Sequence, residues 1–333
     1  MYDGIFSAHE LTPHMLGQAS GDSIIIAFDH VENKNMNFNN TIYQNSFEPW
    51  IPASGPGQCI SGNNSAGVYD DCWTAYNGLV EMSWQASNAA TGWGAGGNYN
   101  HMGPVVWPSA GYIQSSTTYA KGEATGGVRH PHSLIFNNYV YLFYLDQSPG
   151  SYGIKVARSA VTDKAMPGTF HSFTAKAGFS QSADSLPAGF SLTKIGDFLA
   201  KPGPSSDPVL GIRDSYSFSA AHVGSGNCFA GVEELLDTNG LLTTMLWKSP
   251  NLINWTQVST LRTAPNWGKA DMHYPIFLDS SGRSNTEISA PSFYIEGTDN
   301  GSGTVGLIQV GVGNFCTFPT GVAVGTAISH DAR

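Results

Sequence analysis

Charge is what this chain has least of. Lys, Arg, Asp and Glu make up 12% of its 333 residues, about half the share of roughly 25% usual in globular proteins. So few charges cannot cover many amphipathic helices, which excludes a mostly helical fold. The surface must instead be Asn, Ser, Thr and Gly, which suits strands and tight turns. Basic clusters are missing, and 15 basic against 25 acidic residues leave a net charge of −10. Nucleic acid and anionic membranes are therefore poor partners. Long apolar runs are missing too: Ile24-Ile25-Ile26-Ala27-Phe28 is typical, far short of the ~18 residues of a membrane-crossing helix. The opening MYDGIFSAHE has no basic and no apolar leader region, so no signal peptide is expected. A mature secreted sequence behind an initiator Met would look the same.

Cysteine is scarce, with residues 59, 72, 228 and 316 and no C-x-x-C, which excludes a zinc ribbon or a thioredoxin-like motif. Cys59 and Cys72 bracket QCISGNNSAGVYDDC, a loop that would gain from a staple, and a disulfide is expected there. Cys228 and Cys316, in GNC and GNFC, could also pair. An even count with low charge points to a secreted or periplasmic protein.

What the chain has in quantity is glycine (39 residues), aromatic residues (12%) and short strand-like runs. The runs are Ser23–His30, Leu79–Ser87, Gly103–Trp107, Ser133–Asn137, Tyr139–Leu145, Gly153–Ser159, Tyr216–Val223, Phe229–Leu235, Leu242–Lys248, Ile276–Leu278, Ser292–Gly297 and Val305–Val312. Each is β-branched or aromatic and bounded by turn residues, the mark of a sandwich, barrel or propeller. Internal repetition decides among these. VRHPHSLIFNNYVYLFYLD leads to GIKVARSAVTD and PGTFHSF; IRDSYSFSAAHVGSGNCFAGVEELLDTNG leads to LLTTMLWKSPNLINW and WTQVSTL. Both open on an Arg, Arg129 and Arg213, 84 residues apart. Weaker copies start at MHYPIFLDSSG and SIIIAFDHVENKN. Four antiparallel strands per repeat make a propeller blade. The expected fold is all-β: a five-bladed β-propeller of four-stranded antiparallel blades around a central channel, forming one domain over residues 1–333. Residues 33–72 and 177–211 read as inserted loops. Four blades can be traced, so the fifth is expected to draw on the two termini. A large β-sandwich is the competing reading.

These motifs resemble those of the five-bladed propeller glycoside hydrolases, the superfamily of arabinanases, xylosidases and fructosidases. RDSYSF at 213–218 resembles their R-D-P element, SPNLINWT at 249–256 their S-x-D-L-x-x-W strand end, and ARSAVTDKAMPGTF at 157–170 their A-R-S variant. The resemblance implies a carbohydrate substrate in a pocket at one end of the channel, with two or three carboxylates supplied by channel-lining strands. It also implies that an ion, often calcium, can lie in the channel beside a His, for which His273 is the candidate; no cofactor is otherwise required. The chain departs from the pattern at His130-Pro131 and Asp214-Ser215, where D-P is usual, and at Asn251, where Asp is usual. No single family is named by these motifs.

Glycoside hydrolysis needs one carboxylic acid to protonate the leaving oxygen and a second carboxylate to activate water or attack the sugar. Asp214 follows Arg213 at the start of a channel-side strand, where the guanidinium would hold it ionised. Glu233 and Glu234 end an apolar strand and alternate between its faces, so one is buried and poised as an acid; Glu233 is the choice. Asp29 ends IIIAF in what reads as the equivalent place of the first blade. The catalytic set expected is therefore Asp29, Asp214 and Glu233. Substrate contacts are expected from Glu10, Arg129, His130, His132, Asp146, Arg213 and Asp271, because carboxylates, guanidinium and neutral imidazole all bond to sugar hydroxyls. Trp73 and Trp107 are the expected stacking residues. Trp255 reads as inter-blade core.

The function expected is a glycoside hydrolase acting on a poly- or oligosaccharide as a monomer. The alternatives are a polysaccharide lyase, a glycoside phosphorylase on the same fold, and a non-catalytic carbohydrate-binding propeller.

Overall fold

The computed structural model describes residues 2–32, 79–86, 100–106, 128–146, 152–166, 168–182, 206–210, 215–266, 272–281, 286–288, 292–298, 304–311, 315 and 326–331. Among them the structure is almost wholly strand, with one 3-10 turn at Val161–Asp163 and no α-helix. The strands form four sheets, each following the chain from its first strand outwards. Blade 1 is β1 (Tyr2–Leu11), β2 (Ile24–Glu32), β3 (Leu79–Ala86) and β4 (Asn100–Val106). Blade 2 is β5 (Val128–Phe136), β6 (Tyr139–Asp146), β7 (Gly153–Ala160), β8 (His171–Thr174) and β9 (Gly178–Ser182). Blade 3 is β10 (Ser215–Val223), β11 (Phe229–Leu236), β12 (Leu242–Ser249) and β13 (Thr256–Ala264), and blade 4 is β14 (His273–Asp279), β16 (Ser292–Thr298), β17 (Thr304–Gly311) and β18 (Thr326–Asp331). The short β15 (Glu287–Ile288) pairs parallel with the end of β10.

Burial shows why these sheets are blades. In β6 and β11 almost every residue is buried on both faces, whereas β13 at the rim alternates and is largely open. A sheet buried on both faces at its centre and wet at one edge is a blade between two others. One core cluster joins Ile26, Phe28 and Val105 to Val140, Tyr144 and Phe170, across blades 1 and 2. A second joins Phe143 and Val156 to Phe218 and Trp247, across blades 2 and 3. The third joins Val232 and Leu246 to Phe277 and Ile295, across blades 3 and 4. Gly231 is needed in the second: a Cβ there would lie 2.8 Å from both the Phe218 and Trp255 rings.

The all-β propeller expectation holds, and the strand positions lie close to those read from the sequence. Four blades are built by the described residues; a fifth is not among them. It is not shared by the termini, because β1 and β18 lie in different sheets. The expected loop 33–72 lies outside the described residues. The expected loop 177–211 opens instead on β9, which pairs with β8. Cys228 is disulfide-bonded; Cys59, Cys72 and Cys316 lie outside the described residues. The SPNLINW element is a turn-and-core device: Asn251 Oδ1 accepts the backbone N–H groups of Ile253 and Asn254, doing what the usual Asp would do. Trp255 packs on Phe218 and Phe143 as inter-blade core.

The inner strands β1, β5 and β10 are joined by buried polar contacts. Ser7 and Ser133 hydroxyls lie 2.8 Å apart. His9 Nε2–H donates to the Ser133 carbonyl at 3.0 Å, and His132 Nε2–H donates to the Ala220 carbonyl at 2.9 Å. Burial lowers the pKa of His132 to about 4, against the pull of that hydrogen bond and with a small push from His9. His132 is therefore neutral in the folded protein. Between its unfolded value of 6.5 and about 4, the unfolded chain binds the proton first, so stability falls as the pH falls through that window. The loss approaches about 3 kcal/mol. We expect urea unfolding to show it as a difference in pH slope between the wild type and His132→Asn, to which every other group contributes alike. Equal slopes for the two proteins would show that His132 does not carry the effect.

Candidate functional site at the openings of the inner strands

Each inner strand carries a register break near its start: between Ile5 and Ser7, Arg129 and His132, Ser215 and Ser217, and His273 and Ile276. Such bulges re-aim side chains and terminate regular pairing. In blades 2 and 4 the break holds a left-handed residue before proline, His130 (φ 50°) before Pro131 and Tyr274 (φ 49°) before Pro275. Proline disfavours helical conformations in the residue before it, so both positions are strained by about 1–3 kcal/mol. They bring three rings from three blades together. The His130 ring centroid lies 4.9 Å from Tyr216 and 5.2 Å from Tyr274, and the two tyrosine rings are 5.8 Å apart. His130 Nδ1–H donates to the Tyr216 carbonyl at 2.5 Å, and the tyrosine hydroxyls lie 3.3 Å from each other.

Two adjacent carboxylates stand behind this cluster, on opposite faces of β11. Glu234 is fully buried and accepts three hydrogen bonds: from the Ser217 hydroxyl at 3.0 Å, from His273 Nδ1–H at 2.7 Å and from the backbone N–H of Tyr274 at 3.1 Å. It ties blade 3 to blade 4 and holds the strained Tyr274. Glu233, opposite Phe218, is also fully buried but poorly satisfied. Ser215, at the start of β10, donates to its Oε1 at 2.5 Å, while Oε2 accepts nothing and the nearby Trp247 indole N–H is unbonded. Burial raises the Glu233 pKa to about 7, against the pull of Ser215 and Trp247. A carboxyl that keeps its proton near neutral pH can donate it.

The sequence-derived set divides as follows. His130 is in the ring cluster, and Glu233 is bonded to the residue that precedes Tyr216. Arg129 is buried at the start of β5, beside His130. His132 lies deeper, on the inter-blade joint. Glu10 is exposed and stands near the end of β1. Asp146 is fully buried in a 2.6 Å ion pair with Lys155. Asp29 pairs with Ile5, the residue before the bulge, which is the place of Leu235 opposite Ser215 and not that of Glu233. The side chain of Asp29, and Asp214, Arg213, Asp271, Trp73 and Trp107 entirely, lie outside the described residues. His273, the metal candidate, has its Nδ1 engaged by Glu234, and no group of three or more potential ligands occurs among the described residues. Sequence reading passed over Tyr216, Tyr274, Ser215 and the holding role of Glu234. A signal for one of these, Tyr274, is present: His130-Pro131 and Tyr274-Pro275 repeat one ring-then-proline pair at the same place in two blades.

No protein-family model and no curated protein matches the chain. Similar solved structures exist. One is a GH32 β-fructofuranosidase of Bombyx mori in complex with sucrose, at 12% identity and TM-score 0.41, covering 90% of this chain and 46% of that one. This chain thus spans less than half of that enzyme. The six-bladed propeller lectin of Aleuria aurantia matches at 6% identity and TM-score 0.38, over 99% of this chain and 65% of that one. The β-1,2-mannobiose phosphorylase of Listeria innocua matches at 9% identity and TM-score 0.39, over 93% of this chain and 72% of that one. Glycoside hydrolases of families 32, 62 and 43 also stand among the similar structures.

The state of Glu233 has a consequence for stability. Its folded pKa, about 7, stands above the ordinary 4.5, so ionisation penalises the folded state as pH rises through that window. Glu233→Gln, which mimics the protonated form, should be more stable than wild type by up to about 3 kcal/mol above pH 7 and equal to it near pH 4.5. Urea unfolding at the two pH values measures this; a gain of equal size at both would refute the raised pKa.

Proposed function

We propose that the protein is a carbohydrate-active propeller that hydrolyses glycosidic bonds, with Glu233 as the general acid. The observation that carries this is the buried, half-satisfied Glu233 carboxyl with a pKa of about 7, held by Ser215 where β10 opens. In that state it donates a proton to the leaving-group oxygen at neutral pH. Asp214, next to Ser215 in the chain, is the second carboxylate of this reading, activating water or attacking the anomeric carbon. Glu234 is excluded from that task by its three hydrogen bonds, which hold it as a tether. The disulfide at Cys228 favours an oxidising compartment, in keeping with a secreted or periplasmic protein. The similar structures include hydrolases, a phosphorylase and a lectin, so the choice of hydrolysis rests on Glu233.

Incubation with neutral polysaccharides in phosphate-free buffer should release reducing ends. Glu233→Gln should lower kcat by roughly 10²- to 10⁴-fold without loss of fold. The wild-type rate should decline above pH ~7, because the acid must be protonated to act. Turnover that requires phosphate, or formation of an unsaturated uronide, would replace hydrolysis with phosphorolysis or elimination.

A further inference from the structure

The ring cluster of His130, Tyr216 and Tyr274 has no part in the proton chemistry proposed for Glu233, yet its geometry is expensive to maintain. Two of its members stand in left-handed backbone before proline. One of these, Tyr274, is held by a fully buried carboxylate through its backbone N–H. The inter-blade contact of Phe143 with Phe218 needs none of this: both residues lie in regular strand. Strain that the surroundings over-determine is concentrated at binding sites. Tyr216 and Tyr274 are only half-buried, so both keep accessible surface at the strand openings. Half-buried tyrosines offer an apolar face and a polar tip together, which suits a sugar ring with its C–H face and hydroxyl rim. The chain's net charge of −10 disfavours an acidic glycan by long-range repulsion.

We infer that His130, Tyr216 and Tyr274 form the stacking face for a neutral saccharide at the inner-strand openings, with Glu234 as the residue that positions it. This rests on the carbohydrate reading of the protein, but it is independent of which bond, if any, is cleaved. The site binds through the tyrosine ring faces, so removing a ring weakens binding while removing a hydroxyl does so less.

Affinity electrophoresis of the full chain in gels containing arabinan, xylan, levan or β-mannan tests it, with polygalacturonate as the acidic control. At least one neutral polymer should retard the protein, and polygalacturonate should not. Tyr216→Leu and Tyr274→Leu should each weaken that retention about tenfold, the loss of one stacking contact. Tyr216→Phe and Tyr274→Phe should stay within about threefold of wild type. Should the Leu variants fail to fold, nitration of the native protein, mapped by mass spectrometry, gives the same answer: the bound polymer should protect Tyr216 and Tyr274. Absence of retention in all four neutral gels, undiminished retention of folded Leu variants, equal retention by polygalacturonate, or nitration unchanged by polymer would each overturn the inference. Glu233→Gln separates the two readings. Ring-dependent retention without turnover in the wild type would leave the stacking face standing and remove the hydrolase. Turnover with an unchanged KM in the Leu variants would do the reverse.

Discussion

The geometry of the inner-strand openings depends on one buried carboxylate. Glu234 accepts from Ser217 on its own blade, and from His273 and the Tyr274 backbone on the next. A fully buried carboxylate is tolerated only when several donors satisfy it. Once satisfied, it makes the separation of β11 and β14 a matter of hydrogen-bond length. Ordinary apolar packing between blades lets neighbouring sheets slide by fractions of an ångström. A carboxylate gripped from both sides does not, and the strained turn at Tyr274 is seated on it.

Glu233 shows how strongly environment divides two neighbours of identical chemistry. Strand alternation sends one side chain towards blade 4 and the other towards blade 2. Glu234 meets three donors. Glu233, opposite Phe218 in the strand pairing, meets one hydroxyl and an indole N–H that closes no bond. Burial then outweighs the pull of Ser215 and Trp247 on Glu233, which holds its proton to about pH 7, while Glu234 serves as a fixed acceptor. Neither role follows from the residue type. Both follow from which blade each face of β11 meets.

Much of this was legible in the sequence because blades repeat. Short aromatic strands bounded by turn residues marked β2, β6, β7, β11 and β12 almost to the residue, since strand ends there coincide with Gly, Asn or Asp. The alternation that separates Glu233 from Glu234 was legible for the same reason. What escaped was register. A bulge shifts the pairing by a residue or two without any signal in composition, so Asp29 was matched to Glu233 when it stands in the place of Leu235. β1 begins five residues before SAHEL, so Glu10 stands near its end. Nothing in YLFYLD announces the ion pair of Asp146 with Lys155, which reaches it from the neighbouring strand. Long-range partners of this kind are fixed by packing, which no local pattern encodes.

The mouth residues follow a rule that explains why they were hard to see. Every blade breaks register at the start of its inner strand, but only two of the four described blades place a proline after the break. In blade 3 the equivalent residue, Tyr216, lies between Ser215 and Ser217, whose hydroxyls hold Glu233 and Glu234 respectively. Blade 3 therefore supplies the carboxylates and blades 2 and 4 supply the prolines, and the ring cluster lies where the three meet. A repeated scaffold gives each blade the same opening, and a few substitutions at that opening make the blades unequal. Among the described residues, left-handed backbone before proline is confined to blades 2 and 4, while the proton chemistry proposed for Glu233 belongs to the blade between them. A change to Pro131 or Pro275 would therefore act on the seating of the ring cluster, and a change to Ser215 on the proton of Glu233, although all three residues occupy neighbouring places in one architectural repeat.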